Sequence, residues 1–136
     1  MLTGINPLLS GKLLLHLDRM GHSDAVVIAD AHFPVYRLGL RQVELPNAHS
    51  PEVVAAIRSV LPLDAAPALD LMATPGGEEL DIHLELTRAA GATDKRLIER
   101  YSFYASARDA YLIVRTGEIR QYGNAILRKG IVTPKA

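Results

Sequence analysis

The spacing of apolar positions along the chain predicts helices and strands that follow one another in turn. Residues 25–29 (AVVIA) are apolar at every position, which favours a short strand covered on both faces of a sheet. Apolar residues at helical spacing after Ser10 predict a first helix, and Gly21 is placed to end it in the left-handed conformation. A further helix is predicted to begin at a Ser50 cap and to be closed by Pro62.

The rest of the chain continues this alternation. A helix is predicted over residues 80–90 with Gly91 as its terminator, and a helical turn or two within 103–110. Further strands or extended segments are predicted at 42–45, 68–73, 97–101 and 111–116. Alternating strands and helices predict the α/β class, here a three-layer sandwich with a mixed, largely parallel sheet between helices. No linker or internal repeat is visible, so residues 1–136 are expected to form a single domain.

Composition and charge narrow the classes of function. A chain of 136 residues that is 49% hydrophobic can bury one sizeable core. Its 15 basic residues balance 15 acidic ones, so no overall field would draw it to nucleic acid or to an anionic membrane. The absence of cysteine excludes disulfides, thiolate nucleophiles and zinc–thiolate sites. No basic leader with an apolar run and no stretch of about 18 apolar residues occurs, so a soluble cytoplasmic protein is expected.

The ends of the 25–29 strand carry the main candidate chemistry. His22 precedes the strand, and Asp30 and His32 follow it. Ligand sites in open α/β sheets usually lie at the loops off strand ends, so these side chains could line one. They could equally be structural, because an Asp at a strand end often caps a turn and a His after a helix can contact its last carbonyls. A metal site formed by these three residues has no support from cysteine or from HExxH spacing.

Other polar clusters carry less weight. Ser23 lies between His22 and Asp24, but side chains adjacent in sequence rarely form a hydrolase triad, and no GxSxG motif occurs. The glycine pair at 76–77 lacks both common phosphate-loop patterns. Structural roles at surface or boundary positions are expected for the remaining histidines, His16, His49 and His83.

Three stretches of the chain resemble a known family. They are MGHSDAVVIADAHFP (20–34), ERYSFYASA (99–107) and TGEIRQYGNAILRKGIVTP (116–134). Together they are similar to the sugar mutarotase family that groups ribose pyranases with fucose mutarotases, called RbsD/FucU. The segments 30–34 (DAHFP) and 122–124 (YGN) resemble the fucose branch, whereas the stretch between about residues 36 and 95 matches poorly. Ser23 departs from the family pattern, in which Gly usually follows the histidine.

The resemblance implies an enzyme that interconverts anomers or ring forms of a free monosaccharide without a metal or organic cofactor. It assigns the general acid to His22. His32 follows Asp30 by two residues, so in an extended chain it could face the same way and line the pocket as a second acid/base or sugar contact, or it could pack against Phe33 and Pro34. The resemblance assigns sugar binding to Asp30, Arg100, Tyr122 and Asn124, and to Gly123 through its backbone. It also implies a homo-oligomeric ring, often a decamer, with active sites at subunit contacts. The partners expected are therefore a monosaccharide and further copies of the chain.

The chemistry of ring opening suits these residue types. Opening a cyclic hemiacetal delivers a proton to the ring oxygen while another leaves the anomeric hydroxyl, and imidazole titrates in the range that allows it to do both. Carboxylate, guanidinium, phenol and amide groups supply the donors and acceptors that sugar hydroxyls need. Two alternatives to an L-fucose-like mutarotase stay open: a ribose-type pyranase, and a non-catalytic sugar-binding accessory of a transport system. Arg100 could also be a plain surface cation, and Gly123 and Asn124 a plain turn.

Overall fold

A computed structural model of the protein describes residues 1–134. The last two residues of the predicted domain 1–136, Lys135 and Ala136, lie outside the described residues. The elements are α1 (Gly11–Arg19), β1 (Ala25–Ala29), α2 (Val35–Leu38), β2 (Gln42–Leu45), α3 (Ser50–Arg58), β3 (Leu69–Met72), α4 (Asp81–Ala90), β4 (Arg96–Ile98), α5 (Arg100–Arg108), β5 (Leu112–Thr116) and β6 (Ala125–Arg128). None of the helices in residues 1–134 combines the length and the apolar character that a membrane span requires.

The strands form one mixed sheet in the order β2-β5-β1-β6-β3-β4. The pairs β2–β5, β5–β1 and β3–β4 are parallel, and β6 runs antiparallel between β1 and β3. The predicted strand at 25–29 is confirmed as β1 at the sheet interior, with four of its five residues buried. The sequence pattern does not predict β6, whose four residues become a strand through pairing with neighbours on both sides.

Two apolar clusters cover the two faces of the sheet. Val26 and Ile28 of β1 face a cluster that includes residues of α1, α3 and α4. Val27 and Ala29 point to the other face and pack in a cluster with residues of α2 and α5, among them Phe103. Alternate strand residues therefore serve opposite helical layers, which confirms the three-layer α/β sandwich.

The end of α1 differs from the prediction. Gly21 does not take the left-handed conformation; the helix ends at Met20, which is extended at φ −63° and ψ 135°. The Lys129 ammonium donates to the carbonyl oxygens of Leu17 at 2.8 Å and Met20 at 2.7 Å. The Lys129 ammonium, from the segment after β6, thus donates to carbonyl groups that a left-handed cap would otherwise bond.

Two helix starts also differ from their predictions, and one helix end agrees. The extended segment predicted at 97–101 ends at Ile98, because the Glu99 carboxylate accepts backbone N–H bonds from Tyr101 and Ser102 and starts α5. The predicted Ser50 cap lies inside α3, whose N-cap is the preceding residue. Gly91 ends α4 in the left-handed conformation at φ 61°, as predicted.

Candidate functional site

A pocket of about 260 Å³ lies at one edge of the sheet, close to the lower limit of about 300 Å³ for small-molecule sites. The parallel strands β1, β3 and β4 all end at this edge, and the antiparallel β6 begins there. Residues that follow those strands and precede β6 therefore meet around one cavity. Its lining comprises Asp30, His32, Phe33, Met72, Arg100, Tyr104, Gln121, Tyr122 and Asn124.

Asp30 and Asn124 form the floor of the pocket. Asp30 follows β1, Asn124 precedes β6, and antiparallel pairing brings the two positions together. The Asn124 side chain accepts from the Asp30 backbone N–H at 2.7 Å and donates to the Asp30 carboxylate at 3.0 Å. Burial raises the pKa of Asp30, and hydrogen bonds from the backbone of His32 and the side chain of Asn124 oppose that shift. The pair presents a fixed carboxylate and amide, which are acceptor and donor groups for sugar hydroxyls.

His32 lies at the rim of the pocket. Its backbone N–H donates to the Asp30 carboxylate at 3.0 Å, so this short turn fixes the position of the residue. Its Nε2 lies 3.2 Å from the carbonyl oxygen of Ile119, which can only accept; Nε2 therefore carries the proton of that bond. In the neutral imidazole this leaves Nδ1 as an acceptor for a ligand hydroxyl.

Arg100 lies at the first position of α5, and only the N-cap Glu99 separates it from β4. Its guanidinium donates to the Tyr101 hydroxyl at 2.6 Å and lies 4.7 Å from the centre of that ring. Tyr104, one helical turn further on, lines the same pocket and packs edge-on against Phe33 at 5.3 Å. The helix start thus supplies a cation and an aromatic face to the same cavity.

Tyr122 projects from the loop between β5 and β6 and holds a left-handed backbone at φ 64°. The loop is anchored by Glu118, which is almost fully buried. The Glu118 carboxylate accepts three hydrogen bonds from Arg120, and Arg120 also binds Glu85 of α4. Burial alone would raise the pKa of Glu118, but the bonds from Arg120 outweigh it and hold that pKa below its ordinary value. The anchored loop keeps the phenol at the pocket despite the cost of its backbone conformation.

Gly123 has a packing role beside its predicted backbone role. A Cβ at this position would lie 2.8 Å from the Glu118 side chain and 3.1 Å from the Ser50 hydroxyl. The missing side chain therefore lets the loop close onto its anchor, and Gly123 itself does not line the cavity.

His22 lies at the other end of β1 from the pocket. Its side chain is 60% exposed, and its Nε2 lies 3.0 Å from a carboxylate oxygen of Asp64. A strand of five residues alone spans about 16 Å, so one sugar cannot contact His22 and Asp30 of the same copy. The structure therefore brings together Asp30, His32, Arg100, Tyr122 and Asn124 but not the predicted general acid.

The same separation bears on the metal interpretation. His22 cannot share an ion with Asp30 and His32 because it lies at the opposite end of the strand. Across residues 1–134, the His, Asp and Glu side chains form no group of three or more able to hold a metal ion.

Sequence reasoning did not assign Phe33, Met72, Tyr104 and Gln121, which also line the pocket. Tyr104 could have been found, because it follows Arg100 by four residues and shares its helical face. That inference required the helix to be placed from Arg100 onward. Met72 carries no such signal, since it becomes a neighbour of Asn124 only through the pairing of β3 with β6.

The remaining histidines lie outside the pocket, and for one of them the expected surface or boundary position is wrong. His83 is fully buried: its Nδ1 accepts from the Leu80 backbone N–H at 2.9 Å and its Nε2 bonds the Met72 carbonyl at 2.8 Å. Both ring nitrogens are thus used in joining the start of α4 to the end of β3. His16 packs against the Tyr111 ring, and His49 provides the N-cap of α3.

The chain forms one α/β domain, and its strand order brings carboxylate, guanidinium and amide groups together at a polar pocket. This arrangement is typical of proteins that bind small polar ligands. The family model described as the RbsD / FucU transport protein family matches residues 3–132, nearly the whole chain. The chain belongs to this family.

Solved structures agree with that assignment. The fucose mutarotase from Streptococcus pneumoniae, in complex with L-fucose, is 31% identical at a TM-score of 0.90, over 97% of this chain and 100% of that one. FucU from Bifidobacterium longum is 33% identical at a TM-score of 0.87, over 95% and 100% of the two chains. RbsD from Bacillus subtilis, complexed with D-ribose, is 23% identical at a TM-score of 0.80, over 98% and 100%, and supports the fold alone.

Proposed function

We propose that this protein is a monosaccharide mutarotase that interconverts the α and β anomers of an L-fucose-like sugar. The observation that carries the proposal is the pocket built from Asp30, Arg100, Tyr122 and Asn124 in a chain of the RbsD / FucU family. The similarity to the Streptococcus pneumoniae mutarotase solved with L-fucose favours the fucose branch over a ribose-type pyranase. The proposal places the reaction in the cytoplasm, the compartment expected from the sequence.

The pocket binds the sugar through hydrogen bonds to its neutral hydroxyl groups. Asp30 accepts from hydroxyls, Arg100 and the Asn124 amide donate, and the Tyr122 and Tyr104 rings cover the C–H faces of the sugar. These groups lie at the end of β1, in the first turns of α5 and on the anchored loop before β6, so the orientation of the sugar is set before the chemistry begins.

Ring opening is then a matter of proton transfer. The acid protonates the ring oxygen while His32, as the second acid/base, accepts the proton of the anomeric hydroxyl, and the C1–O5 bond breaks to give the open-chain aldehyde. Rotation about C1–C2 and attack of the O5 hydroxyl on the other face of the aldehyde give the opposite anomer. One imidazole can serve both directions because it titrates near neutral pH.

In this proposal His22 acts in the pocket of a neighbouring copy. Within one copy, His22 and the pocket lie at opposite ends of β1, so a site that contains both requires two chains. The pocket is also bordered by a second cavity of about 530 Å³, which shares Arg100 and Tyr122 with it and leaves that side open to another subunit. A homo-oligomeric ring, for which the family resemblance suggests a decamer, meets this requirement.

A second candidate function is sugar binding without catalysis, as an accessory of a transport system. The observation that favours it is the position of His22 outside the pocket of its own copy. In that case His32 would be only a sugar contact, and no exchange would depend on His22.

NMR exchange spectroscopy on equilibrated L-fucose and D-ribose tests the proposal. We expect wild-type protein to accelerate anomer exchange of fucose-like sugars, with and without EDTA, and His22→Ala to reduce it by about 10²–10⁴-fold. Exchange that disappears with EDTA and returns with a metal would contradict a cofactor-free mechanism. Absent exchange with retained sugar binding would support the accessory function, and preferential pyranose–furanose exchange of ribose would support the pyranase.

Mixed oligomers test the shared site. His22→Ala keeps the pocket and Asp30→Asn keeps the histidine, so one-to-one assemblies should recover activity at roughly one quarter of their sites if two copies contribute to each. Assemblies of the double variant His22→Ala/Asp30→Asn with Asp30→Asn provide the matched control and should stay inactive. Mixed assemblies as inactive as their parents would contradict the shared site.

A further inference from the structure

The segment between β3 and α4, residues 73–79, forms one wall of the cavity beside the sugar pocket. Its residues 73–77 line that cavity together with Arg100 and Tyr122, which also line the sugar pocket itself. Residues 75–79 are exposed, so burial of apolar surface does little to fix this part of the chain. The position of the segment therefore depends on polar contacts, above all on those at its two ends.

One imidazole binds both ends of this segment. The backbone N–H of Leu80, just after the segment, donates to Nδ1 of His83 at 2.9 Å. Nε2 of the same ring lies 2.8 Å from the carbonyl oxygen of Met72, just before the segment. Because Nδ1 accepts, Nε2 carries the proton of the neutral ring and donates to that carbonyl. The ring is rigid, so the two ends of the segment are held at a fixed separation.

Capping of α4 alone does not explain this arrangement. His83 is the third residue of the helix, a position at which a glutamate or glutamine side chain can equally accept from the N-cap N–H. The bond to Met72 is what the imidazole adds. His83 is fully buried, so loss of the ring would leave the Met72 carbonyl without this donor in a place closed to water.

Met72 connects this contact to the sugar pocket. It is the last residue of β3, its side chain lines the pocket, and its sulfur lies 3.9 Å from the amide nitrogen of Asn124. That amide donates to the Asp30 carboxylate at 3.0 Å, and the two residues form the floor of the pocket. A thioether is flexible, so it packs against the Asn124 amide in one place only if the backbone that carries it is fixed.

We propose that His83 is a positioning residue for sugar binding, which joins Met72 to Leu80 and so holds both the Met72 side chain and the 73–79 segment at the pocket. The role rests on the proposed function, because it requires a sugar bound at Asp30 and Asn124. His83 itself lies outside the pocket and does not touch the sugar. The role therefore predicts an effect on affinity and not on the chemical step.

The test compares His83→Leu, which removes both bonds, with His83→Gln, whose amide can accept from Leu80 and donate to Met72. We expect His83→Leu to raise Kd and KM for L-fucose about tenfold and to leave kcat within about twofold, because a weakened binding group affects ground and transition states alike. His83→Gln should recover most of the affinity. Kd is measured by titration, and melting temperature and oligomer size are measured on the same preparations.

The matched control is Leu84→Gly, at the next position of α4. Leu84 is exposed, and glycine there weakens the helix without removing either bond of His83. Its melting temperature should fall while its Kd for L-fucose stays at the wild-type value. Hydrogen–deuterium exchange followed by mass spectrometry should be faster across residues 73–80 in His83→Leu but not in Leu84→Gly.

A double variant tests whether His83 acts through Met72. In a Met72→Ala background, His83→Leu should raise Kd little further, because both changes remove the same contact to Asn124. If His83→Leu does not fold, His83→Glu takes its place, since its carboxylate still accepts from Leu80 but, when ionised, cannot donate to the Met72 carbonyl.

The outcomes separate this role from the proposed function. Wild-type affinity in folded His83→Leu, or the same loss of affinity in Leu84→Gly, would overturn the role of His83 and leave the proposed function intact. Additive effects of the His83 and Met72 changes would overturn its action through Met72. Wild-type protein that binds no L-fucose would contradict the proposed function, and the role of His83 with it.

Discussion

Ser23 and Tyr122 are the two non-glycine residues of the described chain with a left-handed backbone, at φ 65° and φ 64°. One lies next to His22, and the other lines the pocket. Such conformations cost about 1–3 kcal/mol and persist only where the surrounding structure enforces them. Here the bond from Ser23 to Lys129 and the buried anchor Glu118 provide that enforcement. Strain is thus located at both halves of the proposed site.

Ser23→Gly should relieve one of these conformations. Glycine adopts a left-handed backbone without steric cost, so we expect the free energy of unfolding to rise by about 1 kcal/mol. Urea unfolding followed by circular dichroism measures the change. Ser102→Gly in the exposed part of α5 is the matched control and should lower stability by about 0.5–1 kcal/mol, because glycine is unfavourable within a helix. A Ser23→Gly protein less stable than wild type would show that the serine hydroxyl matters more than the backbone strain.

At the scale of elements, Asp70 joins three neighbouring strands. It is fully buried on β3 and accepts hydrogen bonds from Arg96 of β4 at 2.7 and 2.9 Å. Arg128 of β6 lies 2.9 Å from the same carboxylate. Burial alone would raise the pKa of Asp70, but the two arginines outweigh it and hold that pKa below its ordinary value. The edge strand β4, only three residues long, is thereby tied to the sheet interior.

Asp70→Asn should destabilise the protein strongly at neutral pH. Removing the charge leaves two guanidinium groups without their carboxylate, so we expect a loss of about 3 kcal/mol at pH 7. Because the folded-state pKa of Asp70 is lowered, its contribution is present above the unfolded pKa of about 4 and is lost as pH falls through the lower folded value.

The difference between wild type and Asp70→Asn should therefore shrink below about pH 4. Urea unfolding at several pH values measures it, with the exposed Asp109→Asn as control. A difference that stays constant down to acid pH would show that the charge of Asp70 does not stabilise the fold.

At the scale of the whole molecule, the proposed mechanism requires assembly, because His22 lies at the opposite end of β1 from the pocket of its own copy. We expect light scattering to return a mass several times the 14.8 kDa of one chain. Dilution below the dissociation concentration should then abolish anomer exchange per chain, while circular dichroism still reports folded protein. Full exchange activity in a monomeric fraction would contradict the proposal and direct attention to His32, the imidazole within the pocket of one copy.

Much of the fold could be predicted from the sequence because local patterns encode it. An apolar run of five residues determines the buried strand β1, and Gly91 determines the end of α4, since each depends on residues adjacent in the chain. The predicted start of α5 was wrong because Ile98 and Tyr101 favour an extended segment, whereas the side chain of Glu99 caps a helix.

Sequence motifs could indicate which residues form the site, but they could not predict how those residues are arranged. Asp30, Arg100, Tyr122 and Asn124 were named from the resemblance, and the structure places all four at one pocket, where their roles stay predictions. Their meeting depends on β6 running antiparallel between β1 and β3, a pairing that no local pattern specifies. Only the tertiary structure separates His22 from that pocket and sets it beside Asp64, because a strand directs its two ends to opposite edges of the sheet.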